Sequence, residues 1–355
     1  MTQSIIKRLK WHVVRTMMLV AVLGCAACDS AIYDDEGDCT PHYFARFVYD
    51  MNMLQADAFY TQVTSVDLYV FDAETDEYIT HLSDKGEILA TGNYRMPLDL
   101  VPGKYKFIAW CGLANNGDDF TVPTNISTPQ DLKCTMARSR DTKGAYSSRN
   151  LHAVFHGSLS AELPDEEGEH VVTVKLTKDT NNINLSLQHT GEALDPDRFE
   201  VTMIDENGLM AHDNSLLADE PIEYRPWSLR SGSVDIEGTD AESEAGFLVA
   251  ELSTARLMAN HNSRINIVDK TTDKTVFSIP IIQWALLLRS ANHANMGDQE
   301  YLDREDEYNL MVFLTNTTPD DPTPPNTPDE PTEGWTAVSI IINGWHIIIN
   351  GDVEL

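Results

Sequence analysis

Basic side chains are scarce in this sequence. Its 355 residues carry 25 Lys and Arg against 56 Asp and Glu, a formal net charge of −31. Proteins that grip nucleic acid without regard to sequence do so through clustered Lys and Arg on the phosphates, so that function is excluded. Docking on anionic lipid through a basic patch fails on the same ground. Long apolar runs are also missing. No stretch reaches the roughly 20 residues that span a bilayer as a helix, and the longest, Ile279 to Leu288, is interrupted by Pro280 and Gln283. Cysteine is sparse at five residues, too few for a scaffold held by disulfides. The cores must therefore stand on apolar burial. The 42% hydrophobic and 23% charged shares supply that material and exclude an acidic disordered chain. The length allows roughly two domains of ordinary size.

Catalytic patterns are missing too. There is no Gly-x-Ser-x-Gly, no phosphate-binding glycine loop and no dinucleotide fingerprint. His152 and His156 have ligand spacing on a helix, but Leu151 to Gly157 reads equally well as a strand, and no Glu follows His152 to complete a zinc-protease pattern. Acidic clusters at Asp34-Asp35-Glu36, Asp165-Glu166-Glu167 and 303–307 (DREDE) lack EF-hand spacing and read as solvated surface. Trp110, Trp227, Trp284, Trp335 and Trp345 are candidates for stacking on sugars, although most sit within apolar strand patterns that suit a core. No metal or cofactor is expected.

What is present begins with an export signal. Lys7, Arg8, Lys10 and Arg15 precede an uncharged apolar stretch, Thr16 to Gly24, and then small residues; a buried N-terminal helix is the alternative. The segment Val22-Leu23-Gly24-Cys25-Ala26-Ala27-Cys28 resembles a bacterial lipobox, in which the cysteine becomes the acylated first residue. Cys25 has the better aliphatic context and Cys28 the better small residues, so spacing leaves both open. Three acyl chains exceed the two signals that stable anchoring takes. Cleavage removes four basic and no acidic residues, leaving a mature balance of −35. Export permits a disulfide among Cys39, Cys111 and Cys134, or three separate thiols.

Residues 28–38 read as an acidic tether, and after it strands dominate. Period-2 alternation places Val66, Leu68 and Val70 on one face. The same holds for Tyr105, Phe107 and Ala109; for Val172, Val174 and Leu176; for Ile183, Leu185 and Leu187; for Phe199, Val201 and Met203; for Ile265 and Ile267; and for Tyr308, Leu310, Val312 and Leu314. Strands that bury one face alternate in this way. A short helix is expected over Asp131 to Arg138 after Pro129. Val101-Pro102-Gly103-Lys104 suits a type II turn, and Asp205-Glu206-Asn207-Gly208 and Asn343-Gly344 are further turns. The polar break at 178–182 divides the chain into domains 39–180 and 181–355. The Pro-rich stretch 318–334 (TPDDPTPPNTPDEPTEG) suits solvated, extended backbone and no sheet interior. After it, Val338 to Ile349 reads either as a hairpin at Asn343-Gly344 or as one strand bent by a bulge. That segment has to pair within this chain or with another.

Six runs carry a resemblance: 28–39 (CDSAIYDDEGDC), 46–53 (RFVYDMNM), 65–72 (SVDLYVFD), 279–282 (IPII), 299–308 (QEYLDREDEY) and 342–345 (INGW). Together they resemble the FimB-like family of fimbrial lipoproteins of Bacteroidales, which belong to type V pili. The family pattern favours Cys28 over Cys25 as the lipidated residue. The Pro-rich insertion, Cys111 and Cys134 depart from it. The resemblance implies an all-β fold of two transthyretin-like β-sandwich domains in tandem after a lipoprotein signal peptide (residues 1–27). It implies a structural, non-catalytic fimbrial subunit, surface-exposed and lipid-anchored in the outer membrane. Its partners would be stalk or accessory subunits joined by strand addition. A surface glycan-binding lipoprotein is the competing expectation, and an exported hydrolase built on paired carboxylates the third.

Overall fold

The structure is a computed structural model that describes residues 40–115, 118–191, 193–235, 244–290, 293–317 and 334–348. The expected signal peptide, the tether, Cys25, Cys28, Cys39 and Pro-rich residues 318–333 lie outside the described residues. Gly334, the last residue of the Pro-rich stretch, opens a strand.

The described chain is all-β, with strands numbered β1 to β23 in chain order. One set of sheets comprises a three-stranded and a five-stranded sheet. In the first, β1 (Pro41–Val48) lies between β11 (Gly168–Lys175), to which it is parallel, and β4 (Met96–Leu98), to which it is antiparallel. The second runs β12 (Thr177–Lys178), β10 (Phe155–Leu163), β5 (Gly103–Cys111), β2 (Ser65–Asp72) and β3 (Tyr78–Lys85). The predicted aliphatic faces meet between them: Val66, Leu68, Val70, Phe107, Ala109, Val174 and Leu176 join one buried cluster with Phe47 and Phe155.

Two six-stranded sheets form the other set. One has the order β17 (Ser228–Asp235), β18 (Glu244–Ala255), β13 (Thr180–Thr190), β21 (Glu307–Thr317), β22 (Gly334–Ile342) and β23 (Trp345–Ile348). The other has the order β20 (Lys274–Pro280), β19 (Arg264–Asp269), β14 (Phe199–Asp205), β16 (Ile222–Tyr224), β9 (Gly144–Ser147) and β8 (Ser139–Asp141). Ile183, Leu185 and Leu187 are fully buried, while Asn184, Ser186 and Gln188 between them are half-buried. These three, with Val201, Met203, Ile265, Ile267, Leu310 and Val312, build the larger cluster.

The two clusters share a wall. Tyr69, Phe71, Ile108 and Trp110, on the opposite face of β2 and β5, belong to the larger cluster. Simple alternation leaves that face to solvent; here it is apolar and buried. What covers it is an excursion of the chain, β6 (Phe120–Thr121) and β7 (Cys134–Met136), paired with β15 (Leu209–Met210). The excursion continues into β8 and β9, and β9 runs parallel to β16. The crossover from β12 to β13 falls at the polar break at 178–182, yet residues 120–147 are built into sheets made chiefly by later strands.

Three local expectations change. The helix expected over Asp131 to Arg138 is a single 3₁₀ turn, Pro129–Asp131, followed by β7. Thr128 and Asp131 form a capping box, a genuine helix start, but Leu132, Cys134 and Met136 bury at period 2 against the wall and that packing prevails. Gly103 is not among the glycines with positive φ, so the turn before β5 is not type II; Gly103 is instead the first residue of β5, opposite Leu163. The C-terminal segment is a hairpin and not a bent strand. β22 and β23 pair antiparallel, and Asn343 and Gly344 have φ of 44° and 86°, as a type I′ turn requires.

Trp110 is fully buried at the shared wall. Trp110→Ala is therefore expected to destabilise the protein by about 3–5 kcal/mol, measured as a lower urea midpoint with one cooperative transition for both sheet sets.

Candidate functional site: open sheet edges and a polar junction

The groups this fold offers to a partner are main-chain edges. Among the described residues, β17 and β23 end one six-stranded sheet, and β3 ends the five-stranded one. Three edges are guarded in ways known to block strand pairing. β4 holds Pro97 between its two buried residues. β8 is only three residues long, with Arg140 tied to Glu220. β20 ends in Pro280. β3 is long, but it carries charge at Asp84 and Lys85, and its Tyr78 N–H is already donated to the Ser127 carbonyl at 2.9 Å. β17 has no Pro, carries the exposed Arg230 paired with Glu251 at 2.9 Å, and exposes Leu229 and Val234, with Trp227 exposed just before it.

On the opposite side of that sheet the chain adds its own C-terminal hairpin, which leaves β23 as the outer strand among the described residues. β22 pairs along β21 and buries Ile340 and Ile342. The turn is pinned, since Asn343 exchanges hydrogen bonds with the backbone of Asn309, both at 2.9 Å.

A polar junction joins the two sheet sets, and it brings together two of the runs quoted above. Arg304, in the helix Asp298–Arg304, donates to the carbonyls of Asp50 and Asn52 at 2.9 and 3.3 Å. Lys178 pairs with Asp306, and the Asn182 N–H donates to the Asp306 carbonyl at 2.8 Å. Arg256 forks onto Asp303 at 2.9 and 2.8 Å, and Gln299 donates to the same carboxylate at 2.9 Å. The acidic run 303–307 is therefore largely a lock between strands.

Asp179 lies at the centre of this junction, fully buried between β12 and β13. Its Oδ1 accepts from Asn214 Nδ2 at 3.0 Å, its Oδ2 has no partner, and Arg256 Nε is 3.7 Å away. Because Arg256 is already committed to Asp303, burial dominates and pushes the Asp179 carboxyl up to about 7. Burial likewise raises Glu305 to about 7. His156 moves the other way, down to about 4, because its buried ring is costly to charge; it donates through Nε2 to the His212 carbonyl at 2.9 Å.

The remaining sequence candidates do not converge. His156 lies in β10, whereas His152 precedes it in a loop and contacts Asp119 through Nδ1 at 2.8 Å. The two histidines therefore form no ligand pair. No group of three or more His, Cys, Asp or Glu side chains among the described residues could hold a metal. Asp165, Glu166 and Glu167 are exposed in the turn between β10 and β11; the run 34–36 lies outside the described residues. Cys111 and Cys134 are free buried thiols, which removes the disulfide between them. Trp110 is buried, Trp284 and Trp335 pack against the larger cluster, Trp227 is exposed, and the side chain of Trp345 lies outside what the structure describes.

The fold and its offered groups define an all-β protein that presents sheet edges. The chain belongs to the family of fimbrillin-A associated anchor proteins Mfa1 and Mfa2, whose profile matches residues 35–351. It is 21% identical over 336 residues to the minor fimbrium anchoring subunit Mfa2 of Porphyromonas gingivalis, covering 94% of this chain and 93% of that one. Two solved structures from Bacteroides thetaiotaomicron are also similar. A candidate adhesin is 33% identical with a TM-score of 0.72, covering 89% of this chain and all of the other. A protein described as a candidate polysaccharide binder is 29% identical with a TM-score of 0.69, covering 89% and 99%.

The raised carboxyl of Asp179 fixes a sign for pH dependence. A carboxyl whose pKa is higher folded than unfolded binds its proton more tightly in the folded state, so its stabilisation is present below the unfolded value near 3.8 and is lost as pH rises towards 7. Asp179→Asn is expected to melt like the parent at pH 4 and to be the more stable at pH 8, by on the order of 3 kcal/mol. Because Glu305 and His156 titrate identically in both proteins, the difference between the two thermal melting curves isolates Asp179.

Proposed function

We propose that this chain is a fimbrial anchor subunit held by an N-terminal lipid on the outer leaflet of the outer membrane, where it engages stalk or accessory subunits of a type V pilus by β-strand addition. The family match over residues 35–351 carries the reading, and the open sheet edges supply the chemistry. An incoming strand gains affinity from main-chain hydrogen bonds and specificity from alternate side-chain pockets. In this reading the two sheet sets are transthyretin-like sandwiches, and no catalysis is involved. The lipid is carried by Cys28, with Cys25 as the alternative.

A glycan-binding surface is less well supported. Stacking on sugars needs aromatic faces in solvent, and of Trp110, Trp227, Trp284 and Trp335 only Trp227 is exposed.

Replacing the lipidated cysteine tests the anchor. Cys28→Ala should move the protein from the outer-membrane fraction to the soluble one and shed fimbriae into the medium, while Cys25→Ala should do neither. Mass spectrometry of the mature N-terminal peptide should find acyl chains on Cys28. Fimbriae that stay attached at normal length when both cysteines are replaced would end the anchor reading.

A further inference from the structure

We propose that the polar junction is a two-position switch: when Asp179 loses its proton, Arg256 turns from Asp303 to Asp179, and the helix Asp298–Arg304 loosens its grip on the first sheet set. The motivating observation is a buried carboxyl short of partners. Asp179 is fully buried, Asn214 donates to its Oδ1 at 3.0 Å, and its Oδ2 has no hydrogen-bond partner. Once ionised, a carboxylate in that position needs a cation or further donors. One cation stands within reach. Arg256 Nε is 3.7 Å from Asp179 Oδ1, against 2.9 Å from Asp303 Oδ1. Its Nη2 donates to Asp303 Oδ2 at 2.8 Å and its Nη1 to the Asn214 carbonyl. Each guanidinium nitrogen is thus committed, and turning the fork onto Asp179 gives up the fork onto Asp303.

The other groups around Asp179 cannot take that role. Lys178, its neighbour on β12, is committed to Asp306. On β10, His156 spends Nε2 on the His212 carbonyl, and burial holds it neutral above about pH 4. Tyr49, after β1, and Cys134, on β7, are kept neutral by burial. Asp303 is itself acidic, and Asp213, beside Asn214, is acidic and accepts from the Ser215 hydroxyl at 2.6 Å. Burial raises the Asp179 carboxyl to about 7, so its proton leaves near neutral pH and Arg256 is the group that answers.

The helix registers the change. It is seven residues long and its N-cap makes no side-chain hydrogen bond, so contacts from its side chains hold it in place. With Arg256 on Asp303, that residue is fixed by the fork and by Gln299 at 2.9 Å, and the next residue, Arg304, reaches the Asp50 and Asn52 carbonyls. With Arg256 on Asp179, Asp303 keeps Gln299 alone. The joint between the sheet sets is therefore tight below neutral pH and looser above it.

The test is NMR on the full chain with arginine labelled by nitrogen-15, following the Nε–H resonances of Arg256 and Arg304, each assigned by its Arg→Lys variant. The Asp179-paired position should rise from roughly one-tenth of molecules at pH 6 to roughly nine-tenths at pH 8, moving both resonances with one midpoint near 7. In Asp179→Asn both should stay at their pH 6 positions throughout. In Asp303→Asn the Arg256 resonance should sit at its pH 8 position throughout, since one of its two partners is gone. Glu305→Gln removes the other carboxyl raised to about 7 and should leave the titration in place. A titration that survives in Asp179→Asn, or disappears in Glu305→Gln, would overturn the assignment to Asp179. An Arg256 resonance that does not move in the parent would end the switch, and movement of Arg256 without Arg304 would overturn its coupling to the helix.

Discussion

The central sheet of the first set is buried on both faces, and the rest of the structure depends on that constraint. Along β2 and β5, one parity (Val66, Leu68, Val70, Phe107, Ala109) fills the smaller core, and the other (Tyr69, Phe71, Ile108, Trp110) fills the larger. Side chains on a strand change face with every residue, so a slip of one position would exchange both sets at once. In a sheet with one wet face, such a slip costs one core. Here it would put aromatic rings where aliphatics belong and aliphatics where rings belong, in two close-packed interiors that tolerate little change of volume. Fully burying each large apolar side chain is worth about 1.5–3 kcal/mol, so the register of β2, β5 and β10 governs both cores together.

The polar junction operates under that constraint. A buried carboxylate with one strong hydrogen bond, such as Asp179, is a cost to stability. Its neighbours are nonetheless well ordered: Arg256 forks onto Asp303, Gln299 ties the same carboxylate to the backbone of Leu257, and Arg304 reaches across to the Asp50 and Asn52 carbonyls. These contacts are directional where the apolar wall is not. Hydrophobic burial holds the two sheet sets together but leaves them free to slide; charge-assisted hydrogen bonds to particular carbonyls fix one relative position. The conspicuous acidic run 299–308 is thus part of the architecture.

Much of this was legible beforehand. The alternation of Ile183, Leu185 and Leu187 announced the centre of the larger core because a half-buried strand writes its two faces into consecutive residues. The Asn343-Gly344 turn was equally local, since only residues that tolerate positive φ suit it. What local pattern does not carry is the identity of the neighbour. Tyr69 and Trp110 read as the outward side of their strands until the excursion 120–147 is seen to cover them. Leu132, Cys134 and Met136 fit a strand as well as the short helix that Pro129 suggested, and only the wall they pack on decides. β17 carries no such signal, because Ser228-Leu229-Arg230-Ser231-Gly232 has no clean apolar face. That weakness is itself a property of an edge strand, which has one neighbour and little to bury.

The two sides of the six-stranded sheet that runs from β17 to β23 are built differently. At one side the chain adds its own hairpin, which buries Ile340 and Ile342 and makes β23 the outer strand. At the other side β17 has one strand neighbour among the described residues. The hairpin therefore moves the edge of the sheet outward and does not remove it: among the described residues the sheet ends in β17 at one side and β23 at the other. What the hairpin changes is which side chains are covered, because unless β22 pairs along β21 the apolar face of β21 and the residues Ile340 and Ile342 would have no strand to pack beside.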